Sequence, residues 1–161
     1  IRDSCQMVPP DVRQMFGQYG IFPSVQPTHL ISDASWVGKR IGERMAYAYP
    51  ARSLRQSFGH LALGTDFPVE SPDPWATFRA AVEREAGGEV FHPEERLSAW
   101  EALRGMTLDS ARAEFAEKER GSLEKGKWAD FVVLNGDPCH TNHAKLSILQ
   151  TWMAGKMVFS L

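Results

Sequence analysis

The stretch Leu61-Ala62-Leu63-Gly64-Thr65-Asp66 holds a short apolar run that ends at an acidic residue. Such a run is typical of a short buried strand, and the three prolines within residues 67–74 predict that a loop follows it. Asp66 therefore stands just past the C-terminal end of the predicted strand. In (β/α) barrels, catalytic groups gather at that end of the strands.

Two roles are open to Asp66. A carboxylate at the end of a barrel strand can ligate a metal and accept a proton from water. The alternative role is structural, because the same side chain can cap the turn over residues 67–70. The residue pattern alone does not decide between catalysis and capping.

Gln26 and His29 form a second candidate site. They follow Ile21–Val25, which reads as a short buried strand although Pro23 weakens that prediction, and they lie in the predicted loop Gln26-Pro27-Thr28-His29. A histidine in this position can bind a metal, hydrogen-bond a substrate carbonyl, or only satisfy the backbone of its loop. All three roles stay open on sequence alone.

The order of predicted elements indicates an α/β fold. Helices and strands alternate in the first part of the chain, which favours parallel strands, whereas the last part reads as antiparallel strands with a tight turn near Gly155. We predict helices over residues 10–19, 36–47, 52–58 and 74–85 and after Pro93 and Thr107, and terminal strands at 131–134, 148–153 and 157–159.

Composition excludes several classes of partner. The 161 residues have a net charge of −2 and no basic cluster, so we expect no nucleic-acid partner. No apolar run is long enough to span a membrane, and two distant cysteines do not make a disulfide framework, so we expect a reduced, cytoplasmic protein. Cys139, His140 and His143 do not have the spacing of a structural zinc site and predict a polar surface loop.

Four motifs, in order, resemble segments of one family. Ser24-Val25-Gln26-Pro27-Thr28-His29 and the run from Leu61 to Glu70 resemble the amidohydrolase family that includes N-substituted formamide deformylases, in its YtcJ-like branch. The run LSAWEALRGMT at 97–107 and the run GSLEKGKWADFVVL at 121–134 are similar to that family's later helix and to its return into a small β-sandwich.

The resemblance implies a (β/α)8 TIM-like barrel of which residues 1–120 form a C-terminal portion with its helices, while residues 121–161 supply terminal strands of a β-sandwich. It also implies a divalent metal, commonly zinc, that activates water against a small-molecule amide-type substrate. Asp66 matches the family's strand-eight aspartate, a metal ligand and general base. Gln26 and His29 match positions that face the substrate.

Two departures from the family pattern bear on function. The H-x-H motif, the lysine and the histidine of the family's earlier strands have no counterpart here, and Ser4 stands where the strand-six motif has a ligand histidine. The chain also starts at Ile1 without an initiator methionine, which reads as the middle of a longer protein. We therefore expect an incomplete metal site in this chain.

Two functions are consistent with these features. The first is a C-terminal portion of a hydrolase that acts on carbon–nitrogen bonds other than peptide bonds, inactive alone and associating with itself or with the missing barrel half. The second is a truncated, inert relative that serves as an interaction or regulatory piece.

Overall fold

The structure, a computed structural model, describes residues 1–140 and 143–161 and divides into two compact units, Ile1–Met106 and Thr107–Leu161. The sequence placed this boundary at 120/121. The difference arises because Gly121 packs closely on the helix Leu108–Ala113: a Cβ on Gly121 would lie 2.7 Å from Ala111 Cβ. That helix therefore belongs with the second unit. The identities predicted for the two units, barrel portion and sandwich strands, stay predictions.

The α/β class predicted from sequence is confirmed, since helices and short strands alternate through the first unit. The elements of that unit are α1 (Pro10–Gln18), β1 (Ser24–Val25), α2 (Pro27–Asp33), α3 (Val37–Ile41), a 3-10 helix (Gly42–Tyr47), α4 (Ala51–Phe58), β2 (Ala62–Leu63), α5 (Pro74–Val82), β3 (Glu85–Ala86), β4 (Glu89–Val90), a 3-10 helix (Pro93–Glu95) and α6 (Ala99–Met106).

The strands β1 and β2 pair in parallel, as predicted, with Ser24 opposite Ala62 and Val25 opposite Leu63. The N-terminal segment adds a third parallel partner on the other side of β1. Arg2 donates its backbone N–H to Phe22 O at 2.8 Å, and Ser24 donates to Arg2 O at 3.0 Å. Three consecutive chain segments thus run in the same direction, side by side.

The hydrophobic core of the first unit contains residues from the β1–β2 region and from the surrounding helices. Leu61, Leu63 and Val25 from the strand region are buried together with Leu54 of α4 and Phe78 of α5. Helix α6 comes closest, because Gly105 presents no side chain where it meets β2: a Cβ there would lie 2.7 Å from Leu63 Cγ and 3.0 Å from Leu61 O. The absence of a side chain lets the helix seat directly on the strand that leads to Asp66.

The second unit contains α7 (Leu108–Ala113), β5 (Phe131–Leu134), a 3-10 helix (His143–Lys145), β6 (Ile148–Met153) and β7 (Lys156–Ser160). The three strands form an antiparallel sheet in the order β5-β6-β7, separate from the β1–β2 pair, as predicted. The β6–β7 hairpin turns at Ala154 and Gly155, with φ of 49° and 74°. Two positive φ values match the right-handed twist of a hairpin.

Two local predictions were wrong. Gln26–His29 is not a loop, because Pro27 has the backbone geometry of a first helical residue and α2 begins there. The helix expected to reach Glu85 ends at Val82, because Gly87 and Gly88 turn a short β3–β4 hairpin instead.

Within the described residues, no helix is both long and apolar enough to cross a membrane.

The contact of Gly105 with β2 gives a test of the fold. We expect Gly105→Ala to lower the free energy of unfolding by about 1–3 kcal/mol, because the added methyl overlaps Leu63 and helix α6 must shift. Gly38→Ala is the matched control, since a Cβ on this helical glycine meets no atom within 4 Å. The control should be neutral or stabilising by up to about 1 kcal/mol. Denaturant midpoints measure both, and equal midpoints for the two variants would contradict the packing described.

Candidate active site

The three parallel segments bring their C-terminal ends to one edge. Gly64 donates its backbone N–H to Val25 O at 3.1 Å, and Cys5 donates to Ser24 O at 3.2 Å. Gln26, Gly64 and Cys5 are therefore neighbours at the point where the pairing ends. The side chains that follow each segment emerge from this edge, as expected of a parallel α/β sheet.

Gln26 and His29 are held at the start of α2. His29 donates its backbone N–H to Gln26 O at 3.2 Å, closing the first turn of the helix, and the two residues are only 5% and 7% exposed. Burial this deep means that each polar atom of the two side chains needs a partner.

Each of the two side chains has one partner in the N-terminal segment. Gln26 Nε2 donates to Asp3 Oδ1 at 2.8 Å, and His29 Nδ1 is hydrogen-bonded to the side-chain amide of Gln6. The other polar atom of each side chain, Gln26 Oε1 and His29 Nε2, is buried without a protein partner. An unpaired buried polar atom costs about 1–3 kcal/mol. Such atoms in a strand-end site point to a ligand that would satisfy them.

The carboxylate of Asp3 is kept charged by its surroundings. Partial burial acts to raise its pKa, but hydrogen bonds from the Ser24 hydroxyl, the Ser4 backbone and the Gln26 amide together hold the pKa of Asp3 below its ordinary value. The proximity of His29 acts in the same direction. Asp3 is thus a fixed acceptor for Gln26 near neutral pH.

Asp66 lies on the exposed loop after β2 with a left-handed φ of 58°. The turn that follows is closed by other groups: Val69 donates its N–H to the carbonyl of Asp66 at 2.8 Å, and Phe67 donates to Thr65 Oγ1 at 3.3 Å. Turn capping therefore does not need the Asp66 carboxylate. Asp is one of the few residues besides glycine that adopt a left-handed φ with little strain, so this conformation assigns no role to Asp66.

The residues of this chain do not by themselves fit a catalytic metal. Within residues 1–140 and 143–161, no group of three or more His, Cys, Asp or Glu side chains is placed to hold an ion. Asp66 and the unpaired Nε2 of His29 offer two donors at most, and catalytic zinc uses about three protein ligands. Ser4, which the sequence predicts to stand in the place of a ligand histidine, has only a hydroxyl group.

The two histidines of the segment 137–143 form hydrogen bonds with nearby residues of the same segment. His140 Nδ1 is 2.8 Å from Asp137 Oδ2, and His143 Nε2 is 3.1 Å from Pro138 O. Thr141 and Asn142, between these histidines, lie outside the described residues.

Sequence reasoning missed Asp3 and Gln6 as parts of the candidate site. Both lie in the segment that was aligned with the family's strand-six motif, but only the substitution at Ser4 was considered there. The signal that could have found them is the predicted parallel pairing itself, because it places the residues after each segment at one edge.

The chain is similar to known proteins both in sequence and in structure. The model described as "Amidohydrolase family" matches residues 2–159. The protein LONG AFTER FAR-RED 3 of Arabidopsis thaliana is 36% identical over 98% of this chain and 28% of its own length. An N-substituted formamide deformylase of Arthrobacter pascens is 35% identical over 66% of this chain and 20% of its own length.

Among solved structures, an uncharacterised metal-dependent hydrolase of Pyrococcus horikoshii superposes with a TM-score of 0.81 and 32% identity, over 89% of this chain and 30% of that one. The chain therefore spans less than a third of the length of these relatives. The resemblance inferred from the motifs is confirmed by the family model and by the deformylase.

The hydrogen bond between Asp3 and Gln26 predicts that the stability of the fold depends on pH. Because the folded-state pKa of Asp3 is lowered, its hydrogen bond to Gln26 stabilises the fold near neutral pH and is lost as the pH falls through that lowered pKa. Gln26→Leu should move the Asp3 midpoint upward, because one donor to the charged form is gone. Carboxyl NMR titration measures the midpoint. The exposed Gln18→Leu should leave it unchanged, and an unmoved midpoint in Gln26→Leu would contradict the assigned bond.

Proposed function

The chain belongs to the amidohydrolase family, whose model matches residues 2–159, and from that premise we propose that the protein hydrolyses a carbon–nitrogen bond other than a peptide bond, in a small amide or formamide. The observation that carries the proposal is the strand-end edge, where Asp66 follows β2 and the buried Gln26 and His29 follow β1, each with a polar atom left unpaired. The similarity to an N-substituted formamide deformylase supports the choice of bond, because a formamide contains such a bond.

The proposed roles follow from the chemistry of each group. Asp66 accepts the proton of the attacking water, because a carboxylate near neutral pH is a proton acceptor and this one is not needed by its own turn. Gln26 and His29 bind the polar atoms of the substrate through their unpaired Oε1 and Nε2.

The proposed architecture is the C-terminal portion of a (β/α)8 barrel, followed by strands of a small β-sandwich. Three parallel segments joined through helices support the barrel, since this is the repeating unit of that fold. The antiparallel β5-β6-β7 sheet supports the sandwich. The free thiols of Cys5 and Cys139 are consistent with the proposed cytoplasmic location.

A divalent metal, with zinc as the commonest candidate, is part of the proposal for the whole protein only. The metal-dependent hydrolase neighbour supports it. Asp66 and His29 can supply two ligands at most, and any further ligand has to come from outside the described residues of this chain. The exposed Phe67 and Val69, which are each 66% accessible beside Asp66, support association with the rest of the barrel or with a second copy.

The same exposed apolar loop also favours the second candidate function, an inert relative that serves as an interaction piece. One measurement distinguishes the two functions. It is the turnover of simple formamides by a protein that joins this chain to the other barrel strands. Turnover supports the hydrolase, and its absence in a folded, metal-loaded protein supports the interaction piece.

The role of Asp66 is tested by an isosteric change in that joined protein. Asp66→Asn should keep the fold and lower kcat by about 10²–10⁴, because an amide cannot accept the proton of water. Asp73→Asn is the matched control on the same loop, since Asp73 caps α5 by accepting from Trp75 N at 2.8 Å and Asn caps equally well. Unchanged turnover in Asp66→Asn would refute the proposed role.

A second prediction concerns metal binding by the 161-residue chain. We expect no stoichiometric zinc binding at sub-micromolar concentration, because two donors fall short of the about three protein ligands of a catalytic site. Isothermal titration with zinc measures the affinity, and a formamide assay accompanies it. Tight one-to-one binding with turnover would mean that this chain carries a complete site.

A further inference from the structure

A cavity of about 290 Å³ in the first unit is lined by residues of helices α2 and α5. Its apolar wall is formed by Ile31 of α2 and by Ala76 and Ala80 of α5. The volume is close to the lower limit of about 300 Å³ for small-molecule sites, so the cavity fits a molecule of the size of an amino acid. The proposed hydrolysis uses none of the residues in this wall.

Charged side chains of both signs line the same cavity. The acidic residues are Glu70 before α5, Glu83 after it and Glu85 at the start of β3, and the basic one is Arg79 in the last turn of α5. In the described part of the chain, Arg79 forms no salt bridge with Glu70 or Glu85. Opposite charges that share a cavity without pairing fit a ligand that itself carries both charges.

Thr28 adds an uncharged polar group to the wall of the cavity. The residue is only 7% exposed, and among the described residues its Oγ1 has no hydrogen-bond partner. A hydroxyl group can donate to a carboxylate or accept from an ammonium group. Because an unpaired buried hydroxyl lowers the stability of the fold, a polar ligand in this cavity would offset that loss.

We propose that this cavity binds a small aliphatic amino acid as its zwitterion. The carboxylate of the ligand contacts Arg79, since a planar guanidinium suits bidentate hydrogen bonding to a carboxylate. The ammonium group contacts Glu70 and Glu85, Thr28 Oγ1 adds a hydrogen bond, and the aliphatic side chain packs on the apolar wall. A metal ion does not fit, because no group of three or more His, Cys, Asp or Glu side chains in the described residues is placed to hold one.

Three matched molecules test the proposal on the ¹⁵N-labelled 161-residue chain. L-Leucine carries both charges, 3-methylbutylamine lacks its carboxylate, and 4-methylpentanoate lacks its ammonium group. Each is titrated to about 20 mM, because a ligand of this size is expected to bind with about millimolar affinity. Leucine should shift the amide signals of Ile31, Ala76 and Ala80. It should bind about tenfold more tightly than either of the others, each of which loses hydrogen bonds to a charged group.

The role of Arg79 is tested by Arg79→Met. This variant should bind leucine about tenfold more weakly, because the hydrogen bonds to the ligand carboxylate are lost. It should bind 3-methylbutylamine as tightly as the wild type or more tightly, because a positive charge near the ammonium group is gone. Arg40→Met is the matched control, since Arg40 is exposed on α3 and lies outside the cavity wall.

The hydroxyl of Thr28 is tested by Thr28→Val, which keeps the shape of the side chain. The free energy of unfolding should not fall, because the change removes an unpaired buried hydroxyl, whereas leucine should bind more weakly. Glu70→Gln should weaken the binding of leucine and of 3-methylbutylamine, and Glu89→Gln, at an exposed position of β4, is its control. Circular dichroism checks that every variant folds.

The wild-type titrations decide the proposal even if a variant does not fold. Absence of leucine-dependent shifts at the cavity residues overturns it. Binding of 3-methylbutylamine or of 4-methylpentanoate as tight as that of leucine also overturns it, because the cavity would then recognise one charge only. An unchanged leucine affinity in folded Arg79→Met contradicts the assigned contact with the carboxylate and overturns the zwitterion site.

Discussion

The parallel pairing of residues 2–5, β1 and β2 is the constraint on which the rest of the structure depends. The backbone bonds from Cys5 N to Ser24 O and from Gly64 N to Val25 O fix where the three segments end. The residues that follow the three segments therefore lie at the same edge of the pairing. A slip of one residue in either pairing would send Gln26 toward the opposite face, because side chains alternate along a strand.

Apolar packing and buried polar groups have different effects at this edge. Helix α6 packs on the apolar side chains of β2 at Gly105, where there is no room for a side chain. This contact holds β2 and the start of the Asp66 loop in place. At the edge itself, Gln26 and His29 are buried with one polar atom each left unpaired, a local cost that the apolar packing has to offset.

Sequence reasoning found the parts of the molecule with strong local signals. The apolar run before Asp66, the helix predicted to begin at residue 74 and the turn predicted near Gly155 correspond to β2, the start of α5 and the terminal hairpin. It failed at Pro27, which was predicted to lie in a loop and instead begins α2. Asp3 and Gln6 were missed because their roles come from pairing between segments about 20 residues apart, which no local pattern contains.

The measurement that tests this account most directly is a nuclear Overhauser spectrum of the 161-residue chain. The account predicts contacts between backbone protons of Arg2 and Pro23, of Ser24 and Ala62, and of Val25 and Leu63, in the pattern of parallel strands. It further predicts contacts between the side chains of Gln6 and His29. A spectrum with a shifted or antiparallel register between these segments, in a chain that is otherwise folded, would contradict it.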